Sequence, residues 1–89
     1  MNIIERANEI VNTRSEEKER MYGDFENSMD KMAEIFNSLT GLNLTAVEMY
    51  KAMIALKLSR ESHFHKEDNL LDVIAYIGSL NNYLNNKNK

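Results

Sequence analysis

Thr45-Ala46-Val47-Glu48-Met49-Tyr50-Lys51-Ala52-Met53-Ile54-Ala55-Leu56-Lys57-Leu58-Ser59-Arg60 is the stretch from which the fold is read. Thr45 and Glu48 stand three apart, as a capping box requires: the Thr hydroxyl accepts from the Glu48 N–H and the Glu carboxylate accepts from the Thr45 N–H. Leu44 before the box and Met49 after it are placed as a hydrophobic staple, so a helix is predicted to start at about Ala46. Val47, Tyr50, Met53, Ile54 and Leu58 share one face, while Met49 and Leu56 make other faces apolar. That pattern predicts a central helix contacted on several sides.

Downstream, helix propensity weakens over Ser62-His63-Phe64-His65, which predicts a turn. A last helix is expected from about Lys66, with Leu70, Val73, Ile74, Ile77, Leu80 and Leu84 inward, dissolving into the Asn-rich end from Asn81 to Lys89. The domain is therefore placed at residues 1–84 and a polar, frayed tail at 85–89. Upstream, Phe25, Met29, Met32, Phe36 and Leu39 recur at spacings of four and three, a seam that needs another helix against it. Asp24 is placed to cap that helix and Gly41 to stop it. Ser15 followed by Glu16 and Glu17 predicts an additional short helix to Met21, broken by Tyr22-Gly23-Asp24. Ile3, Ile4, Ala7, Ile10 and Val11 make the apolar stripe of a first short helix. With no Pro and three Gly in 89 residues, the chain has few helix breakers. The fold class read from it is all-α: a small up-down four-helix bundle with an additional short helix. The Phe25–Leu39 seam and the nearly all-round apolar 47–58 helix offer more apolar surface than one small bundle buries, so a homo-oligomer is expected. The six Met and three Phe are read as packing residues.

Length and charge bound the function. A chain of 89 residues makes one small core, which at this size buries roughly 60–65% of the unfolded surface. Without Cys there is no disulfide, thiolate nucleophile or thiolate metal site. A net charge of −3 speaks against general nucleic-acid binding, which needs a basic face for counterion release. No apolar run is long enough for a membrane span. Glu5, Arg6 and Glu9 interrupt what would be the apolar part of a secretion signal, so a cytoplasmic location is expected.

Chemistry concentrates in Lys57, Arg60, Asp68, Asp72 and Tyr76. Lys57 and Arg60 are three apart on one helix; Asp68, Asp72 and Tyr76 step by four along the next, and an antiparallel hairpin brings the two rows together. One reading is a salt-bridge ladder that fixes the helix pair. The other is a polar pocket in which Arg60 and Lys57 grip phosphate. The carboxylates have a third use, as oxygen ligands for Mg or Mn. Helical nucleotide pyrophosphatases of the MazG type carry an E-x-x-E pair and an E-x-x-D pair. Glu16 and Glu19 have the first spacing, but Asp68 and Asp72 lie four apart. His63 and His65, with Asp68, have the makings of a facial metal triad, although histidines in a connection are more often solvated. No phosphate loop, nucleophile elbow or zinc motif is present, and neither a resident cofactor nor a metal is expected.

Taken in order, Lys18-x-x-x-Tyr22-Gly23-Asp24, Ala33-Glu34-Ile35-Phe36 before Thr40-Gly41, Met53 to Arg60, and Asp68-x-x-x-Asp72-x-x-x-Tyr76 resemble a family of short phage and prophage proteins known only as a domain of unknown function. The similarity runs from about Ala7 to Leu84. The family commonly has Arg where this chain has Lys18, Trp where it has Phe36 and Gly where it has Ala75. The resemblance implies a phage gene product with an all-helical fold and supplies no activity. Small phage proteins without a catalytic constellation commonly act by binding host defence proteins or their nucleotide messengers. The expectation is therefore a binder of a nucleotide-type ligand, with Lys18, Tyr22, Lys57, Arg60, Asp68, Asp72 and Tyr76 as candidate ligand-binding residues. The cations would meet phosphate and a phenol ring would stack on the base. Alternatives are a metal-dependent nucleotide pyrophosphatase and a purely structural or protein-binding bundle.

Overall fold

A computed structural model describes residues 1–13 and 25–87. Four helices form: α1 Ile3–Asn12, α2 Phe25–Thr40, α3 Ala46–His63 and α4 Glu67–Lys87, with no strand among the described residues. The short helix expected over 15–21, the Tyr22-Gly23-Asp24 break and the Asp24 cap lie outside the described residues.

Local chemistry sets the helix ends. The capping box at Thr45 is present, with Thr45 N donating to Glu48 Oε1 at 3.0 Å and Glu48 N to Thr45 Oγ1 at 3.4 Å. A second box, unread in the sequence, starts α1: Glu5 N donates to Asn2 Oδ1 at 2.9 Å and Asn2 N to Glu5 Oε1 at 3.3 Å. Asn does here what Ser or Thr does elsewhere, because its side-chain oxygen also reaches the orphan N–H groups of the first turn. Gly41 ends α2 at φ 75° while its N–H reaches Asn37 O at 2.9 Å. Only Gly enters that left-handed region at no steric cost. Asn37 then holds the following loop at both hydrogen-bonding groups of Leu44, donating to its carbonyl and accepting from its N–H, each at 2.9 Å.

The α3–α4 pair is antiparallel and its register is fixed by polar contacts. Tyr50 bonds Ser79; seven residues on along α3 and seven back along α4, Lys57 pairs with Asp72; nearer the turn, Asn69 reaches Glu61. α4, not α3, is the central helix, because it packs against all three others. Two core regions result. Met29, Ala33, Ala46, Met49, Tyr50 and Tyr83 form one, joined by Phe25, Met32 and Phe36; Ala7, Leu71 and Ala75 form the other, joined by Ile3, Val11 and Ile74.

This arrangement corrects several expectations. The buried stripe of α4 is Leu71-Ala75-Ser79-Tyr83, while Ile77 and Leu84 are exposed. A helix squeezed between two neighbours places small residues inward, since these let the flanking backbones approach. Leu56 and Leu58 of α3, Leu39 of α2 and Ile4 and Ile10 of α1 also face outward. α1 runs parallel to α4: Arg6 pairs with Glu67 near the start of α4, Val11 faces Gly78, and Asn12 bonds Asn82 further along. A strict up-down order would make these two helices antiparallel. The Asn-rich end is helical through residue 87, and Asn82 and Asn86 bond Asn12 and Glu26. No helix among the described residues is long and apolar enough to cross a membrane.

Candidate functional site

The predicted polar cluster separates into two places. Lys57 Nζ lies 3.1 Å from Asp72 Oδ2, with the Lys side chain 17% and the Asp side chain 37% exposed. Tyr76 follows Asp72 by one turn and packs edge-on against Phe25, ring centroids 5.0 Å apart. Burial, and then the Asp72 charge, push its phenol above the ordinary value. Asp68 is exposed and pairs with neither cation. Lys18 and Tyr22 lie outside the described residues. The Lys57–Asp72 contact is thus one rung of the expected ladder, and it does not extend to Arg60.

Arg60 instead opens onto a cavity of about 550 Å³ at the α3–α4 turn, shared with Ser59, His63, Phe64, Lys66 and Asn69. Arg60 has no ion-pair partner among the described residues. Arg60, Lys66 and the His63 imidazole therefore border one concavity, and the exposed Phe64 ring stands at its edge. The negative end of α3 and the positive end of α4 meet at this turn, so the helix dipoles largely offset one another and the side-chain charges dominate.

Glu61 holds the turn in shape. Its carboxylate accepts from Lys66 N at 3.0 Å and Asn69 Nδ2 at 3.4 Å and contacts His65 Nδ1. The His65 bond, then the Lys66 N–H, hold the Glu61 carboxyl below its ordinary value. A carboxyl depressed in the folded state contributes stability above its unfolded pKa and loses it as pH falls through the folded one. Glu61→Gln is accordingly expected to flatten the acid side of the stability curve, read by denaturant titration between about pH 5 and pH 3. Parallel acid slopes in the two proteins would contradict this role for Glu61.

His65 is engaged with Glu61 while His63 lines the cavity. Among the described residues no group of three or more His, Asp or Glu converges to hold a metal, so His63, His65 and Asp68 do not assemble the triad that their spacing suggested. Glu16 and Glu19 lie outside the described residues. Sequence reasoning missed the contribution of Phe64, Lys66 and Asn69. The signal was the basic run from Arg60 to Lys66, which reads equally well as charges placed on a helix C-terminus.

Comparison with curated proteins and with solved structures returns no match. A family model described as a domain of unknown function does match, over residues 2–83, which is nearly the whole chain and includes the capping box, the Lys57–Asp72 pair and the Arg60 cavity. The chain belongs to the family DUF6378.

Proposed function

We propose that this chain binds a phosphate-bearing, nucleotide-type ligand and holds it without turnover, as a phage-derived sequestering protein in the cytoplasm of an infected or lysogenic host. The observation that supports the reading is the Arg60 guanidinium, which has no ion-pair partner among the described residues, on the cavity at the α3–α4 turn, with Lys66, His63 and Phe64 on the same rim. Arg offers phosphate a planar fork, Lys a point charge, and an exposed ring a stacking surface for a base. Lys57 is assigned to the structural pair with Asp72 and leaves the proposed ligand set.

Calorimetric titration of the full chain with ATP and with inorganic pyrophosphate tests this. Arg60→Ala is expected to weaken binding about 10- to 150-fold, the equivalent of one charge-assisted hydrogen bond, with the helical circular dichroism unchanged. Unaltered affinity in Arg60→Ala, or no heat with either titrant, would remove the proposal. Recovery of intact nucleotide after incubation with Mg or Mn is the expected companion result, whereas accumulation of product would replace sequestration by the pyrophosphatase alternative.

A further inference from the structure

We infer that Lys66 stands at a helix-cap position as a phosphate contact rather than as a cap, and that Glu61 is the positioning residue that supplies the missing cap from the neighbouring helix. The inference rests on the phosphate reading of the Arg60 cavity and adds to it what holds the second cation in place. α4 starts at Glu67, and the Lys66 carbonyl already accepts from the Asn69 N–H at 3.0 Å, which makes Lys66 the N-cap residue. Lys is ill suited to that place. Its side chain has no oxygen to accept from the orphan N–H groups of the first turn, and its charge stands at the positive end of the helix dipole. α1 and α3, by contrast, start on Asn2 and Thr45, whose side-chain oxygens do accept.

The acceptor comes from α3. Glu61, its side chain 19% exposed, accepts through Oε1 from Lys66 N at 3.0 Å and from Asn69 Nδ2 at 3.4 Å, while Oε2 meets His65 Nδ1. One carboxylate thereby ties the end of α3 to the residue before α4 and to the first turn of α4. Lys66 and Asn69 both line the cavity onto which Arg60 opens, so the same tie fixes them relative to Arg60. Glu67 and Asp68, the acidic residues of that first turn, agree with the helix dipole. The local preference contradicted at this helix start is therefore that of Lys66. A residue that breaks a local rule and is compensated from elsewhere in the fold marks a functional position.

Thermal melting and calorimetric titration with inorganic pyrophosphate, both on the full chain, test the two roles. Lys66→Ser supplies a capping hydroxyl and removes the cation: its melting temperature is expected to rise by about 4 °C while pyrophosphate affinity falls about 10-fold. Lys66→Ala should lose the same affinity without the rise. For Glu61, two variants separate charge from positioning. Glu61→Gln keeps an acceptor oxygen and drops a charge that repels anions, so it should bind at least as tightly as the wild type. Glu61→Ala drops both and should bind about 3- to 10-fold more weakly than Glu61→Gln, with the same helical spectrum. Undiminished affinity in Lys66→Ser beside a loss in Arg60→Ala would overturn this inference and leave the cavity reading standing, whereas undiminished affinity in Arg60→Ala removes the cavity reading itself. A melting temperature no higher for Ser than for Ala at position 66 would overturn the cap assignment, and equal affinities in Glu61→Gln and Glu61→Ala would overturn the positioning role.

Discussion

Tyr50→Ala is expected to lower the unfolding free energy by about 3–5 kcal/mol, the cost of truncating a large core ring. Tyr50 is fully buried and is the largest side chain in that state. Its ring lies parallel to Phe25 with centroids 6.3 Å apart and tilted against Tyr83 at 5.9 Å, so one residue ties α3 to both α2 and α4. The hydroxyl bonds Ser79 at 2.7 Å, also within the core. Small domains have about 5–15 kcal/mol in total, so the Ala variant should sit close to its unfolding transition at 25 °C. Tyr50→Phe separates packing from the polar contact. It keeps the ring, leaves the Ser79 hydroxyl without its partner, and should cost about 1–3 kcal/mol. Denaturant melts of the three proteins give the comparison, and equal losses in the Ala and Phe variants would show that the hydroxyl pair, not the ring, holds this junction.

The same residue carries an alkaline signature. Burial, reinforced by the Glu26 and Asp30 charges and opposed by the Ser79 bond, pushes the Tyr50 phenol up from 10.0 to about 12. A phenol raised in the folded state contributes stability below the unfolded pKa and loses it as pH rises through the folded one. The wild type should therefore weaken between about pH 10 and pH 12, and Tyr50→Phe should weaken less over that window.

How much of this was legible follows from the range over which each signal acts. The Thr45 box and the Gly41 stop act within one turn of chain, and both formed as read. So did the antiparallel pairing of the last two helices, because charges and turn lay close together in sequence. Burial was misread where it depended on distant neighbours. Ranking α4 by hydrophobicity selects Ile77 and Leu84, yet α1 and α3 close on it from two sides and the inward positions go to Ala75 and Ser79. Leu39 was misread for a related reason: α2 carries two apolar rows, and the core with α3 and α4 takes Phe25, Met29 and Ala33 while leaving Leu39 80% exposed. For the candidate site, a spacing of three suggested that Lys57 and Arg60 act together. Three residues advance a helix by 300°, leaving the two about 60° apart. That is enough for Lys57 to meet Asp72 across the helix pair while Arg60 turns toward the cavity beside the connection.

That divergence can be measured as stability. Lys57→Ala is expected to cost about 2 kcal/mol, between the 0.2–1 of exposed ion pairs and the 3–5 of buried ones. The intermediate value follows from the pair's partial exposure, 17% for Lys57 and 37% for Asp72. What remains after truncation is a half-covered Asp72 carboxylate one turn from Tyr76 with no other ion-pair partner among the described residues. The loss should therefore shrink in the Asp72→Asn background, where no charge is stranded, and a double-mutant cycle isolates the pair. Arg60→Ala removes an exposed side chain without a partner among the described residues, so its effect on the denaturation midpoint should lie within about 0.5 kcal/mol. If Arg60→Ala instead costs as much as Lys57→Ala, Arg60 belongs to the ladder. If Lys57→Ala costs nothing while nucleotide affinity falls, the roles are reversed and the phosphate contact moves from the connection to the helix pair.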